Sequence, residues 1–255
     1  MKTDPIRQFY ECNPNFITSP MCPYGELSLF GKMIVDKYLP GISGLRIVDV
    51  GCGHGQVINY CRSRGANVIG IDFAMNALLQ AQSFSSDHLI QANGASLPLA
   101  TSEVDAVLSF EALEHFPNQE KALAEMHRVL KDNGKLIIST PNYFNCAGLL
   151  KLLIEASGCY ETLTWAPFSD WRPQVYESYT TWNSMHHKIA KAGFQIDDSF
   201  TINLLHGIAP IISFRWSFYC SSPIRFLRHL IERLLIFEPF KRLGMNVFII
   251  AHKKA

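Results

Sequence analysis

The sequence predicts an α/β protein with a doubly wound, mostly parallel sheet, and three observations support this prediction. A β-branched run at 47–50 has the composition of a buried strand, and the glycine-rich run 51–55 follows it directly. A helical pattern at 56–64 and a second apolar strand at 67–71 come next, which is the alternation of a parallel sheet covered by helices. The chain has 255 residues, of which 48% are hydrophobic, so it can bury one sizeable α/β core plus an accessory cap.

The glycine-rich run predicts a small-molecule site. Glycine lets the backbone approach a ligand where a Cβ would collide, and a helix starting near Gly55 points its free N–H groups and positive dipole end at the same place. A dinucleotide fingerprint needs a glycine where this chain has Gln56. Asp49, at the end of the strand, repels a pyrophosphate and attracts a cation such as an amino-acid ammonium group. Both residues therefore argue against a nicotinamide-dependent oxidoreductase.

The run Val48 to Gly55 resembles motif I of the class I S-adenosylmethionine-dependent methyltransferases, an acidic residue followed by Gly-x-Gly-x-Gly. The resemblance implies a Rossmann-like methyltransferase fold with a seven-stranded sheet, and S-adenosyl-L-methionine as the cofactor. The alternative is a glycine-rich turn without a ligand. Asp72 weighs against that alternative because it lies about 17 residues past the loop, near the position of an acid that binds ribose hydroxyls.

A second motif extends the resemblance. The segment 93–98 is similar to motif II of the family, which recognises the adenine, with Asn93 in place of the usual acid. An amide oxygen can still accept a hydrogen bond from the adenine amino group, although the replacement can also weaken adenine discrimination. Together the motifs imply a set of cofactor-binding residues: Asp49, Gly51, Cys52, Gly53, Gly55, Asp72, Phe73, Asn93, Gly94, Ser109 and Glu111.

The segment 111–116 follows a predicted fourth strand at 104–110 and resembles the loop that lines the methyl-transfer pocket in the family. In a doubly wound sheet this strand ends beside the first strand, at the crevice where ligands bind. His115 is the first candidate for a general base, because an imidazole with an ordinary pKa of about 6.5 can take a proton from a hydroxyl or ammonium group. The alternative is that His115 only braces the loop, and Glu114 orients it or pairs with nearby backbone.

The first 44 residues are predicted to form a lid rather than part of the core. Aromatic residues interleaved with prolines favour turns and short extended pieces, and apolar spacing predicts a helix over 25–38. In the family such a segment often lies over the cofactor. Tyr24 is therefore a second candidate catalytic residue, with packing under the lid helix as the alternative.

A predicted fifth strand at 135–140 comes after a turn at 131–134. Pro141-Asn142-Tyr143 follows this strand, whereas the methyltransferases that act on amino groups of nucleic acids carry a proline-containing clamp after strand four. The net charge of +1 also gives no electrostatic footprint for nucleic acid. The expected partner is therefore a small-molecule substrate and not a nucleic acid.

The remaining sequence predicts a substrate cap and two closing strands. Leu149, Leu150 and Leu153 predict a short amphipathic helix, and the aromatic segment 159–179 is interpreted as a wall of the substrate pocket. The later elements are a helix at 181–192, a sixth strand from 193, and a last strand at 246–252 that the resemblance places antiparallel beside strand five.

A basic amphipathic helix at 223–237 has two interpretations. It caps the substrate pocket or a dimer face, which is the favoured interpretation, or it lies in a membrane interface. His186 and His187 are adjacent on a predicted helix and face different ways, so they cannot form a metal pair. Seven scattered cysteines without a Cys-x-x-Cys pair predict reduced thiols, a cytoplasmic location and no metal centre.

The sequence as a whole predicts a single-domain methyltransferase. Its segments are a lid at 1–44, a cofactor-binding core at 45–142, a cap with strand six at 143–240 and a final strand at 241–255. The aromatic cap favours a small apolar, aromatic or lipid-tailed acceptor, with O- or N-methylation ahead of other acceptor atoms. The alternatives are another use of the same cofactor, a non-catalytic protein that binds it, and a scaffold at a membrane surface. The oligomeric state is not predicted.

Overall fold

The computed structural model describes residues 5–12, 26–82, 88–158, 176–204 and 242–254. Within these ranges the strands are β1 (Arg46–Val50), β2 (Asn67–Asp72), β3 (Leu89–Gln91), β4 (Val104–Phe110), β5 (Leu130–Pro141), β6 (Phe194–Ile202) and β7 (Asn246–Lys253). The helices there are α1 (Pro5–Cys12), α2 (Leu29–Tyr38), α3 (Gln56–Ser63), α4 (Met75–Ala81), α5 (Gln119–Val129), α6 (Cys146–Ser157) and α7 (Trp182–Lys191).

The described strands form one sheet with the order β3-β2-β1-β4-β5-β7-β6. β1 pairs in parallel with both β2 and β4, so the chain reverses its direction of travel across the sheet at β1. A crevice opens at such a point beyond the carboxyl ends of the strands, and ligands bind there. β7 is antiparallel to both of its neighbours, β5 and β6. The doubly wound prediction and the antiparallel insertion of the last strand are both confirmed.

The core has one layer on each face of the sheet. Val48 and Val50 pack in the layer that contains α5 and α7, whereas Ile47 packs in the layer that contains α2 and α3. Successive residues of a strand point to opposite faces, so a strand covered on both sides is apolar throughout. Full burial of one such aliphatic side chain contributes about 1.5–3 kcal/mol. The loop after β1 therefore starts from a strand that is packed on both faces.

Two segments differ from their predicted structure. The N-terminal segment was expected to form turns and extended pieces, but residues 5–12 form helix α1, which begins with Pro5 and carries an i,i+4 ion pair between Arg7 and Glu11. The predicted turn at 131–134 lies inside β5 as a bulge, where the register shifts between Val104 and Ala106 of the neighbouring strand.

Helix α6 has the predicted position but not the expected packing. Leu149 and Leu153 are 58% and 60% exposed, whereas the only lysine of the helix, Lys151, is 8% exposed. The side chain of Lys151 points toward the protein because it has charged and hydroxyl partners there, described below. Amphipathic spacing alone cannot predict this inversion, since the pattern does not say which side of the helix meets the core.

Several predictions fall outside the described residues. Tyr24, the helix at 223–237 and most of the aromatic segment, 159–175, belong to this group. Among the helices that the structure does describe, none has the length and apolar character needed to cross a bilayer.

Candidate active site

The glycine loop after β1 has a backbone that only glycine adopts easily. Gly51, Gly53 and Gly55 have φ angles of 77°, 51° and 79°. A Cβ on Gly51 would lie 2.4 Å from the Cβ of Ala112, and a Cβ on Gly55 would lie 3.1 Å from that of Ala81. Positive φ and close packing together require glycine at these positions, so the loop brings bare backbone to the crevice. Gly55 is also the N-cap of α3, as the sequence predicted.

Asp72 at the end of β2 ties this loop to the next strand. Its Oδ2 accepts a hydrogen bond from the Gly53 N–H at 2.8 Å, and its Oδ1 accepts one from the Ala74 N–H at 2.9 Å. Loss of hydration raises the pKa of Asp72, and these backbone hydrogen bonds oppose that rise. Each carboxylate oxygen keeps a second lone pair for a ligand hydroxyl. The structure thus places Asp72 at the glycine loop, in a position suited to a ribose.

Asp49 is buried under the same loop and has an orphaned oxygen. The side chain is 1% exposed, and within the described ranges its Oδ2 has no hydrogen-bond partner. Burial, followed by the charge of Asp72, raises the pKa of Asp49 to about 8. A buried carboxyl group without a partner is costly and calls for an explanation. A cation at this position would lower that pKa, so the Asp49 carboxyl group fits the ammonium group of S-adenosylmethionine.

The predicted adenine-binding residues lie in a tight turn. The Oδ1 of the exposed Asn93 accepts a hydrogen bond from the Ala95 N–H at 2.9 Å, so one lone pair of the expected acceptor is already used. Gly94 is buried and packs closely against the ring of Phe116, since a Cβ on Gly94 would lie 2.4 Å from Cε2 of that ring. Phe73 is half-buried, and the guanidinium of Arg7 lies 5.9 Å from its ring centroid. Helix α1 thus contacts the loop that follows β2.

Two predicted cofactor-binding side chains point into the core instead of the crevice. The hydroxyl of Ser109 is fully buried and donates a hydrogen bond to the Val50 carbonyl at 2.8 Å. The thiol of Cys52 packs beneath the loop, where a Cβ on Gly70 would lie 3.1 Å from its Sγ, and burial raises its pKa. Both side chains support the loop from behind, so neither can contact a ligand through its polar atom.

Glu111 begins the loop after β4 in a left-handed conformation, with φ at 51°. Such a backbone costs about 1 kcal/mol or more in a non-glycine residue and clusters at functional sites. Its N–H donates to the Ser139 carbonyl at 3.0 Å, and its carboxylate accepts from the Ser139 hydroxyl at 2.6 Å and from the Asn246 amide at 2.7 Å. Glu111 therefore joins the ends of β4, β5 and β7 at the crevice.

His115 and Glu114 lie side by side in the short helical turn that follows. The His115 Nε2 is 3.5 Å from the Glu114 Oε1, and the Thr140 hydroxyl donates to the other carboxyl oxygen at 3.2 Å. Burial, together with the charge of Glu111, raises the pKa of Glu114 well above its usual range. Burial lowers the pKa of His115, so its imidazole is neutral at pH 7. A neutral imidazole is the form that can accept a proton.

Sequence reasoning missed three polar residues beside this pair. The Lys151 Nζ lies 2.6 Å from the Glu177 Oε2 and 2.9 Å from the Tyr143 hydroxyl, and Tyr143 donates a hydrogen bond to Glu177. Lys151 stands in a leucine-rich run, and Glu177 belongs to the segment interpreted as an aromatic wall. The one lysine in an apolar helix was the available signal, but its partner Glu177 lies 26 residues away.

The two helix histidines have structural surroundings. His186 contacts the Trp182 carbonyl and the Ser199 hydroxyl, each at 2.8 Å, whereas His187 is exposed. Across the described parts of the chain, no three His, Cys, Asp or Glu side chains are grouped closely enough to hold a metal ion.

Known proteins share both the motif region and the fold. Residues 48–138 match a family model described as a methyltransferase domain. The chain is 36% identical over 114 residues to a ubiquinone biosynthesis O-methyltransferase of Alkalilimnicola ehrlichii, covering 42% of this chain and 46% of that protein. It is 32% identical over 103 residues to a malonyl-[acyl-carrier protein] O-methyltransferase of Enterobacter lignolyticus, covering 40% and 41%. The matches thus span less than half of each relative.

Solved structures extend the likeness to most of the chain. An S-adenosylmethionine-dependent methyltransferase from Mesorhizobium loti superposes with a TM-score of 0.58 at 20% identity, over 87% of this chain and 96% of that one. The [4+2]-cyclase SpnF superposes with a TM-score of 0.64 at 16% identity, over 98% and 95%. The fold is that of the class I methyltransferases. Residues 48–138 are therefore similar in sequence to S-adenosylmethionine-dependent methyltransferases, and the described chain has their fold.

Proposed function

We propose that the protein transfers the methyl group of S-adenosylmethionine to a hydroxyl or amino group of a small molecule. The observation that carries this proposal is Asp49, a buried carboxyl group with an orphaned oxygen beneath a glycine loop of motif I. A cationic ligand removes the cost of that burial, and the methionyl ammonium of the cofactor supplies the cation.

The cofactor-binding residues have separate tasks in this proposal. Asp49 faces the ammonium group, Asp72 accepts hydrogen bonds from the ribose hydroxyls, and the turn at 93–94 contacts the adenine. The glycine loop allows the backbone to approach the cofactor closely, because its left-handed residues carry no Cβ. The bound cofactor supplies a methyl group that its sulfonium has already activated. The protein mainly positions donor and acceptor and excludes water.

His115 acts as the general base. Its imidazole is neutral at pH 7 because burial lowers its pKa, so it can accept a proton from the acceptor. As the carbon–sulfur bond breaks, a carbon–oxygen or carbon–nitrogen bond forms, and the proton of the acceptor passes to His115. The products are S-adenosylhomocysteine, the methylated acceptor and a protonated imidazole that returns its proton to solvent.

A small acceptor with an apolar or aromatic body fits best. Two relatives are named as O-methyltransferases, one of ubiquinone biosynthesis and one of malonyl-[acyl-carrier protein]. The exposed ring of Tyr179, whose centroid lies 4.9 Å from that of the buried Tyr143, offers aromatic surface in the segment that bonds to the His115 loop. The reacting group in this proposal is a hydroxyl or amine, because the neutral imidazole of His115 can take the proton that such a group carries.

The test is to incubate the protein with methyl-labelled S-adenosylmethionine and a cell extract. The label is then divided between organic solvent, aqueous small molecules and precipitated macromolecules. Label in the organic fraction supports an apolar acceptor and makes the basic segment 223–237, which the sequence predicts to be helical, a candidate for membrane docking. Label in precipitated macromolecules contradicts a small-molecule acceptor. No label in any fraction, together with binding of S-adenosylhomocysteine, favours a protein that uses the cofactor without methyl transfer.

A further inference from the structure

An ionic cluster with a buried Lys151–Glu177 pair lies between helix α6 and the His115 loop. We call it the Lys151 cluster, and it consists of Lys151, Glu177, Tyr143, Glu155 and Tyr179. Lys151 bonds to Glu177 and Tyr143 and lies 4.0 Å from Glu155, and the Tyr179 hydroxyl donates to Glu155. The cluster therefore joins one helix to the segment 176–180 through hydrogen bonds between ionised and phenolic groups.

Stability alone is a poor explanation for the Lys151 cluster. Replacing a buried ion pair by apolar side chains is often neutral or stabilising, because removing two charges from water costs several kcal/mol. Helix α6 already has the leucines that would fill such a site, yet Leu149, Leu152 and Leu153 are exposed while Lys151 is buried. The helix thus places its one ammonium inside at the expense of apolar burial, which suggests a role for the charge itself.

The segment joined to α6 also forms one side of the His115 environment. The Ser178 N–H donates to the Glu114 carbonyl at 2.8 Å, and the backbone of Tyr176 hydrogen-bonds to His115. Glu177 lies between these two residues in sequence and carries the ion pair with Lys151. Glu177 is therefore flanked by one residue that bonds to His115 and one that bonds to the adjacent Glu114.

We propose that Lys151 and Glu177 are positioning residues, whose ion pair holds the segment 176–178 against His115 and fixes the net charge that this histidine meets. The proposal rests on the proposed function for its catalytic consequence, because it matters to turnover only where His115 is the base. Neither residue needs to contact the acceptor or the cofactor.

Charges on every side of His115 support this assignment. Burial is the largest cause and lowers the pKa of His115, the Glu177 carboxylate raises it, and the Lys151 ammonium lowers it. Glu114 faces the imidazole from its own turn, and its pKa is raised by burial and by Glu111, so its negative charge is disfavoured. Tyr143 stays neutral because burial raises its pKa. The Lys151–Glu177 pair therefore supplies the two charges near His115 that a substitution can remove one at a time.

The test is a direct titration of His115 in the full chain by NMR of ring-labelled histidine, with His115→Gln to assign the signal. Lys151→Met removes the positive charge and should raise the pKa of His115, whereas Glu177→Gln removes the negative charge and should lower it. The expected order of pKa values is Glu177→Gln below wild type below Lys151→Met. Lys151→Arg keeps the charge and should restore the wild-type value. Lys253→Met is the matched control, since Lys253 is also largely buried and its Nζ bonds to the Leu130 carbonyl at the far end of β5.

A second readout separates this inference from the proposed function. If His115 is the base, the acid limb of the pH profile of kcat should shift in the same order as the titrated pKa. Titrations that shift while the pH profile stays fixed would refute the base role and leave the positioning role intact. Identical His115 titrations in wild type, Glu177→Gln and Lys151→Met would overturn the inference. Should Lys151→Met fail to fold, the comparison of Glu177→Gln with Lys151→Arg decides between the same outcomes.

Discussion

The two halves of the crevice are built in different ways. The cofactor half, at the ends of β1, β2 and β3, depends on backbone: left-handed glycines, strand-end carboxylates and hydrogen bonds to N–H groups. The acceptor half, around the His115 loop, depends on side chains from distant parts of the chain, such as the pair of Lys151 and Glu177. The structure of the first half is therefore determined by local sequence. The second half forms only when β5, α6 and the segment 176–180 have packed together.

The largest expected effect concerns the backbone of the cofactor half. Gly51→Ala places a Cβ 2.4 Å from that of Ala112 at a φ of 77°, so we expect destabilisation of about 2–4 kcal/mol and loss of detectable S-adenosylhomocysteine binding. Gly44→Ala is the matched control, because Gly44 has a φ of 81° with nothing within 4 Å. It should cost about 1 kcal/mol and leave binding unchanged. Equal effects of the two variants in thermal unfolding and calorimetry would contradict the requirement for close packing.

The next effect tests the acceptor half. His115→Gln should lower kcat by about 10²–10⁴-fold, because the general base is lost, while binding of S-adenosylhomocysteine stays within about twofold. Steady-state kinetics and calorimetry measure the two quantities. His186→Gln serves as the control histidine, since His186 bonds to Trp182 and Ser199 and lies outside the His115 loop. Activity that survives His115→Gln at every pH would limit His115 to bracing the loop.

A smaller effect should follow from Asp72→Asn. The amide keeps one oxygen but loses the charge that accepts from the Gly53 and Ala74 N–H groups, so both the loop and the ribose contact weaken. We expect the Kd of S-adenosylhomocysteine to rise about 10–100-fold, since hydrogen bonds to charged groups are worth about 1.5–3 kcal/mol. Calorimetry measures the change. An unchanged Kd would remove Asp72 from the cofactor site.

The smallest effect belongs to Asn93→Asp. An aspartate can keep the turn to the Ala95 N–H and offers a second charged oxygen to the adenine amino group. Because Asn93 is exposed, the gain in affinity for S-adenosylhomocysteine should be about 1 kcal/mol or less. Weaker binding in the variant would indicate that the Asn93 amide nitrogen, and not its oxygen, contacts the adenine.

The sequence was sufficient to predict the sheet and to place the glycine loop and Asp72 at the ends of neighbouring strands. Strand β4 has the predicted boundaries, because an apolar run between turn residues defines it locally. Side-chain direction was harder to predict: Ser109 and Cys52 were assigned to the cofactor from motif position, yet both point into the core. The inward direction of Lys151 was not predictable either, since it depends on a partner from another segment.

The most direct test of the proposed cofactor half compares the wild type with Asp49→Asn, first in thermal stability and then in binding of S-adenosylhomocysteine. Since the folded pKa of Asp49 is about 8, above its ordinary value, the carboxyl group is protonated in the ligand-free protein at pH 7 and costs stability as pH rises from about 4 to 8. Asp49→Asn should therefore raise Tm at pH 8 relative to wild type and change it little at pH 4.

The same pKa makes binding release a proton. Calorimetry at pH 7 in two buffers of different ionisation enthalpy should show release of about one proton on binding to wild type, because the ligand ammonium ionises Asp49. Asp49→Asn should bind more weakly and release none. No binding to the wild type, or binding to both proteins with the same affinity and proton count, would contradict the assignment of this buried carboxyl group to the cofactor site.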